Sequence, residues 1–391
     1  MTEKNFLAGL TVLELSDTIA ASFCGRMLAC HGAHVVRVSD KSRPSRTSRE
    51  SEPVGAASAA EVHTDAMKTR LALDLSSGTG QALFERLLDK ADCFVTDFEP
   101  QRLTSLGWHW DKLRADRPRL IYTYISAFGT TGPKRNWRGD DITAQAFGGF
   151  CSMVGFPDRA PLSAPYSLAF TQGGLHAAGA TVAAVLDRVT SGKGSFVEIA
   201  SAEVLGSMMR MYSFVCRFYG VAPIRAGRRA PGSAGRYPAS LFPCKDGYIV
   251  MTSRSGRQWR QIIAMMGSPP WSQNPRYQDP YGIAMEYPDE VDALVIPWMM
   301  QHTRAELAAL GLKHGVPLGA VRRLDELVDD PQFASREFFQ TINVGSKDFQ
   351  APSQPARISV LEDGHRAQVG DERKTLDFPP LKTDAAGLFP E

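Results

Sequence analysis

Residues 10–40 read LTVLELSDTIAASFCGRMLACHGAHVVRVSD, and the fold is decided there. Residues 10–15 form a short apolar run with β-branched members, which predicts a buried strand. Over 20–30 the apolar residues recur at helical spacing, and Gly32 stops the helix as a C-cap does. Residues 34–38 read as a second buried strand. A strand, a helix and a strand within about 30 residues make a βαβ unit, which requires parallel pairing.

Outward from this unit the alternation repeats. Residues 71–75 predict a strand, 80–90 a helix with Ser77 as its N-cap, and 93–95 the next strand. A helix over 103–114 and a strand over 120–125 follow. Residues 173–189 are rich in Ala and Gly, so this helix can pack closely on a sheet. A Ser-Gly-Lys-Gly turn at 191–194 leads into the strand 196–199 and the helix 202–219. The fold class is therefore α/β, with a doubly wound, Rossmann-like large domain. Residues 223–238 concentrate Pro, Gly and Arg and read as a linker. Beyond it, 239–242 and 248–252 predict a hairpin around Lys245-Asp246-Gly247. Helices are expected at 256–266 and 289–301. The large domain takes 1–200, helix and linker take 201–224, and a small α+β domain takes 225–315. Residues 316–391 return toward the large domain with a helix near 324–328 and little sheet.

The chain's 391 residues are enough for two domains. Hydrophobic residues make up 43% and charged residues 22%, which places the chain among soluble globular proteins. A net charge of +2 argues against a nucleic-acid-binding surface. The densest basic run, 41–49, carries Arg43, Arg46 and Arg49 after a predicted strand. It reads as a solvated loop or as an anion-binding loop. The six cysteines include no CxxC pair, which argues against zinc and thioredoxin-like chemistry. Most sit in apolar or helical contexts and are expected as buried thiols in a reduced, cytoplasmic compartment. No secretory signal is read, and no apolar run reaches the length of a membrane span. His31 and His34 stand three apart without a third ligand nearby, so no metal site is expected.

No GxGxxG follows a strand, and neither a P-loop, HExxH nor GxSxG occurs, so nucleotide and hydrolase fingerprints are missing. Asp140 and Asp141 are adjacent acids. They read either as a pair sharing a proton or as a helix N-cap followed by a first-turn acid.

A series of segments follows known family motifs in chain order. Leu7-Ala8-Gly9-Leu10-Thr11-Val12-Leu13-Glu14-Leu15 resembles the opening LxGxxVLxL. Residues 23–29 and 32–38 are similar to FCxxxLAxxGAxVIKVE. Leu71-Ala72-Leu73-Asp74-Leu75 resembles RSLxLDL, and Asp97-Phe98-Glu99-Pro100 resembles NFRPG. Leu106-Gly107-Trp108, residues 118–122 and residues 125–133 are further landmarks. So are Phe242-Pro243-Cys244-Lys245-Asp246-Gly247-Tyr248, Gly315-Val316-Pro317 and Asp330-Pro331-Gln332-Phe333. Taken together the chain resembles the class III CoA-transferases (the CaiB/BaiF type, formyl-CoA transferase-like), and the resemblance implies a large domain built from both chain ends, a small domain between two linkers, and two subunits threaded as interlocked rings. It implies acyl transfer in which an aspartate attacks an acyl-CoA, forms a mixed anhydride, and then carries CoA as a thioester. One acyl exchange is thereby split into easier steps. No tightly bound cofactor is implied; CoA or acyl-CoA is substrate. The implied CoA path runs along Ile19, Ala20, Arg37, Leu73, Asp74, Leu75, Asp97, Phe98, Leu106 and Arg138. Gly232 and Gly235 read as the family's glycine loop or as an ordinary linker, with Arg225, Arg228, Arg229 and Arg236 around them.

The nucleophile is where the sequence departs. The family's aspartate precedes a Gly-rich helix in the pattern GDxxTGxxxxxGxxAAL. Here that slot falls on Phe170, or on Ala169 if the turn is one residue longer. No Asp or Glu lies between Arg159 and Asp187. Asp97 stands where the family tends to have Asn, and Glu99 where it has Arg. Ser39 replaces an acid after the second strand. Asp140 occupies a position where His serves proton transfer in related racemases. Three functions are compatible with this pattern. The first is a non-catalytic subunit supporting a paralogue that keeps the aspartate, in a heterodimer or heterotetramer. The second is an active homodimer doing lyase- or isomerase-type acyl-CoA chemistry. The third is a homodimer that binds a CoA ligand without chemistry.

Overall fold

A computed structural model describes residues 6–47, 53–54, 57–222, 224–230, 236–356, 358–362, 365–369, 375–384 and 387–388. The first βαβ unit consists of β1 (Thr11–Leu15), α1 (Ile19–Cys30) and β2 (His34–Asp40). It continues through β3 (Thr69–Leu73), α2 (Gly78–Leu88), β4 (Cys93–Thr96) and β5 (Ile121–Ser126). Then come α3 (Asp141–Phe147), α4 (Leu168–Ser191) and β6 (Phe196–Ala200). Within the sheet the order is β3-β2-β1-β4-β5-β6, and Leu381–Lys382 adds a seventh strand beside β3. All of these neighbours pair in parallel. The strand order reverses between β1 and β4, as in doubly wound dinucleotide-binding sheets.

Local chemistry explains the elements. The Thr18 hydroxyl accepts from the Ala20 amide and caps α1, and the Ser77 hydroxyl does the same for α2 through Gly80. All of α1 except Ile19 and Phe23 is buried; its residues are small or apolar apart from Arg26, whose guanidinium donates to the Pro352 carbonyl at 3.1 Å. α4 lies directly against it. A Cβ on Gly174 would stand 2.4 Å from the Ala20 carbonyl oxygen, so only glycine allows this approach. The main core of this unit is built on Leu13, Phe94, Trp108 and Tyr122, with Trp108 stacked on Phe84 at 3.9 Å.

Two expected helices are each divided. Gly107, at φ 76°, ends Pro100–Leu106 in a left-handed turn, and Trp110–Asp116 starts anew. The expected helix 202–219 becomes Ser201–Met208 and Arg210–Tyr219. That break coincides with a boundary between two compact units. The first unit is Met1–Gly149, Ala164–Met208 and Val328–Glu391; the second is Phe150–Ser163 and Met209–Leu327. These limits differ from the expected 225–315, because 150–163 and 209–224 join the second unit and that unit runs on to 327.

In the second unit Ala239–Cys244 and Gly247–Thr252 form the expected hairpin, and Leu318–Ala320 adds a third strand. Helices Gly256–Met265, Pro288–Met299 and Arg304–His314 contribute to a core around Phe242, Trp259 and Val291. The C-terminal stretch holds more sheet than its sequence suggests. Phe339–Val344 pairs with Lys347–Pro352 and Thr375–Asp377, and Ile358–Glu362 pairs with His365–Val369. These strands are short and carry many polar residues, so their alternation is weak. The helix expected near 324–328 is one 3-10 turn, Leu324–Glu326.

Candidate functional site

At the reversal of a doubly wound sheet, the loops leaving the two flanking strands diverge and open a crevice at the strands' carboxyl ends. Here β1 leads into Ser16-Asp17-Thr18 and β4 into Asp97. A cavity of about 200 Å³ opens at this point, lined by Thr18, Ala20, Arg46, Asp97, Tyr124 and Phe170, among others.

Asp97 is the most constrained group in it. Its Oδ1 accepts from the Asp17 amide at 2.6 Å. Its Oδ2 accepts from the Thr18 amide at 3.0 Å, the Thr18 hydroxyl at 2.5 Å and the Ala21 amide at 3.3 Å. Four donors from the turn into α1 thus converge on one carboxylate. Burial pushes its pKa up to about 6, and the hydrogen bonds from Asp17 and Thr18 limit the rise.

The arginines around the cavity are paired. Arg46 reaches Asp17 through Nε at 2.9 Å and Asp140 through Nη1 at 2.7 Å. Arg138 bonds Glu99, and Arg43 joins Glu99 at 3.3 Å. Burial works to raise the pKa of Glu99, but the Arg138 hydrogen bond and both cations hold it below its ordinary value. Of the basic run, Arg43 and Arg46 are therefore engaged with acids, and Arg49 lies outside the described residues. Asp140 and Asp141 go to different partners. Asp140 is the N-cap residue of α3 and pairs with Arg46. Asp141 accepts from the Phe170 amide at 2.8 Å and from Gln145 Nε2 at 2.5 Å.

α4 starts after Tyr166 and Ser167, at φ 58° and 55°. Two consecutive non-glycine residues in the left-handed region are costly and mark a constrained turn. This turn delivers the two residues of the expected nucleophile slot differently. Phe170 lines the cavity, whereas Ala169 is fully buried and does not.

The sequence pattern described as "CoA-transferase family III" matches residues 7–368. The chain belongs to that family. Members of family III use CoA thioesters as substrates and need no tightly bound cofactor. A succinyl-CoA–D-citramalate CoA-transferase of Chloroflexus aurantiacus is 30% identical, covering 85% of this chain and 82% of its own. The succinyl-CoA:(R)-benzylsuccinate CoA-transferase subunit BbsE of Thauera aromatica is 28% identical, over 82% and 80%. In structure, a CAIB/BAIF family protein from Brucella suis superposes with a TM-score of 0.82 at 24% identity, over 95% and 97%. The fold is thus that of CaiB/BaiF proteins.

Measured against the CoA path implied by the family resemblance, the described residues divide. Ala20, Asp97 and Arg138 line the cavity. Ile19 opens α1 and is half-buried. Arg37 lines no part of it, because its guanidinium is buried among Asp65, Glu14 and Glu61. Leu73, Leu75 and Phe98 are core residues, and Leu106 packs against them. Asp74 is exposed and ties the next turn through the Ser76 amide and hydroxyl. Gly232 and Gly235 lie outside the described residues. The sequence did not single out Thr18, Tyr124 or Trp137, which also line the cavity. Trp137 is 60% exposed with the Lys134 amine 3.4 Å from its ring centroid. Among the described residues no group of three or more His, Cys, Asp or Glu is placed to hold a metal, and no helix is long and apolar enough to cross a membrane.

Proposed function

We propose that this chain is the nucleophile-free subunit of a family III CoA-transferase and supports a paralogue that carries the catalytic aspartate. The carrying observation is Phe170 at the cavity wall, on the turn where the family's pattern has Asp. A phenyl ring cannot attack an acyl-CoA or hold an anhydride. The carboxylates nearby are committed elsewhere: Asp97 to four donors, Glu99 to two arginines, Asp141 to an amide and Gln145. The Thauera relative, itself described as a subunit, supports a multi-chain enzyme. So does helix Arg210–Tyr219, on which no residue is buried and Met211, Phe214 and Phe218 are exposed at 65%, 57% and 75%. An apolar face of that kind fits a partner chain, in the interlocked arrangement of the family.

Trapping tests the reading. The purified chain is incubated with succinyl-CoA and a dicarboxylic acid, quenched with hydroxylamine or borohydride, and weighed. No covalent adduct is expected on this chain; an adduct overturns the proposal.

A further inference from the structure

We propose that Asp97 is a built-in anion filling the place in the switch-point crevice that a ligand's negative group would take, so that this chain takes up CoA only weakly at neutral pH and leaves CoA binding to its partner. The inference rests on the subunit reading and adds a reason, within this chain, for the division of labour.

In a sheet of order 3-2-1-4-5-6, the crevice lies between β1 and β4, and the first helix points its amino end into it. Free amides and the helix dipole make that end attractive to anions. Here the amides of Asp17, Thr18 and Ala21 and the Thr18 hydroxyl are all used by Asp97. The carboxylate comes from the loop after β4, so it approaches from the side on which a ligand would enter. The Ala20 amide goes to the Thr18 hydroxyl, so a phosphate or oxyanion seeking the amides of Asp17, Thr18 and Ala21 would have to displace the carboxylate.

Charge bookkeeping points the same way. Arg46 faces the cavity but is divided between Asp17 and Asp140. Arg43 is shared by Asp17 and Glu99, and Arg138 is taken by Glu99. Asp97 itself is bonded by amides and a hydroxyl. The other groups facing it are Asp17 from the loop after β1, Arg46, whose cation its charge favours, and Tyr124 of β5, whose hydroxyl burial holds in its neutral form. From α1 it meets backbone amides, and α4 brings Phe170 to the same cavity. Three arginines therefore face four acids, Asp17, Asp97, Glu99 and Asp140, so no arginine is left over for a polyanion, and the cation at the rim, Lys134, lies over the Trp137 ring. Protonating Asp97 would remove one of those negative charges, and its pKa near 6 puts that event within experimental reach.

The test is equilibrium binding of CoA, measured by calorimetry on the wild-type chain and on Asp97→Asn at pH 7.5 and 5.5. At pH 7.5 the variant is expected to bind about tenfold more tightly, and at pH 5.5 the two are expected to agree within about twofold. The ratio at each pH cancels the titration of CoA's own phosphate. Equal affinities at pH 7.5, no binding by either protein, or a ratio unchanged by pH would each overturn the proposal. If Asp97→Asn does not fold, dephospho-CoA binding to the wild-type chain is read across the same range. A several-fold gain on acidification is then expected, and a flat profile overturns the inference. Because the assay involves no turnover, its failure leaves the trapping result intact. A trapped adduct, conversely, would defeat the subunit reading without touching Asp97.

Discussion

Phe170 and Asp97 face the same cavity, and together they make the site resistant to simple repair. Placing a carboxylate at 170 would set it in a cavity already lined by Asp97 and Glu99, with Asp141 bonded to its own amide, so its charged form would be disfavoured. Phe170→Asp is therefore expected to leave steady-state CoA transfer at least ~100-fold below that of an aspartate-bearing family member. Ala169→Asp should do no better, because position 169 is buried away from the cavity. Recovery of an ordinary family rate by Phe170→Asp alone would show that Asp97 and Glu99 are no obstacle. Arg37 teaches a related lesson. It matches a family motif in sequence, yet its charge is spent inside the fold on Asp65, Glu14 and Glu61.

The pair α1 and α4 sets the shape of the crevice, since one supplies its capped end and the other Phe170. Their separation depends on Gly174, where a Cβ would meet the Ala20 carbonyl at 2.4 Å and the Cys24 amide at 3.1 Å. Backbone on both sides cannot yield as a flexible side chain does. Gly174→Ala, although it favours helix in isolation, is expected to destabilise the chain by about 1–3 kcal/mol through overpacking. Urea unfolding followed by circular dichroism checks this; an unchanged or raised midpoint would mean that the helices part freely. At the sequence level this contact is invisible. The Ala and Gly content of 173–189 signals close packing without saying which glycine touches which turn.

At the scale of the whole chain, the subunit reading makes assembly the decisive property. Helix Arg210–Tyr219 leaves a phenylalanine pair, Phe214 and Phe218, stacked at 6.0 Å on its exposed face. Surface of this kind is stabilised by cover from another chain. Expressed alone, the chain is expected to sediment as a homodimer or aggregate at micromolar concentration. With its aspartate-bearing paralogue it should give a 1:1 complex by native mass spectrometry. Phe214→Asp with Phe218→Asp should weaken either association by at least ~10-fold, since two exposed aromatic rings would be lost from the face to be covered and two charges gained. A stable, folded wild-type monomer in the ultracentrifuge would count against the whole assembly argument.

What the sequence determined by itself was local and periodic. The strand-helix-strand alternation of residues 10–40 specified parallel pairing, Ser77 announced its cap, and ordered motifs carried the family likeness. The lack of any Asp or Glu between Arg159 and Asp187 was equally plain. The tertiary structure alone decided what lies across the crevice. Asp97 and the Asp17 amide are 80 residues apart, and only the adjacency of β1 and β4 brings them to 2.6 Å. The same holds for Phe170 over Ala169. One residue along a helix turns a side chain by about 100°, so a single-residue ambiguity in alignment becomes the difference between the cavity wall and the buried interior.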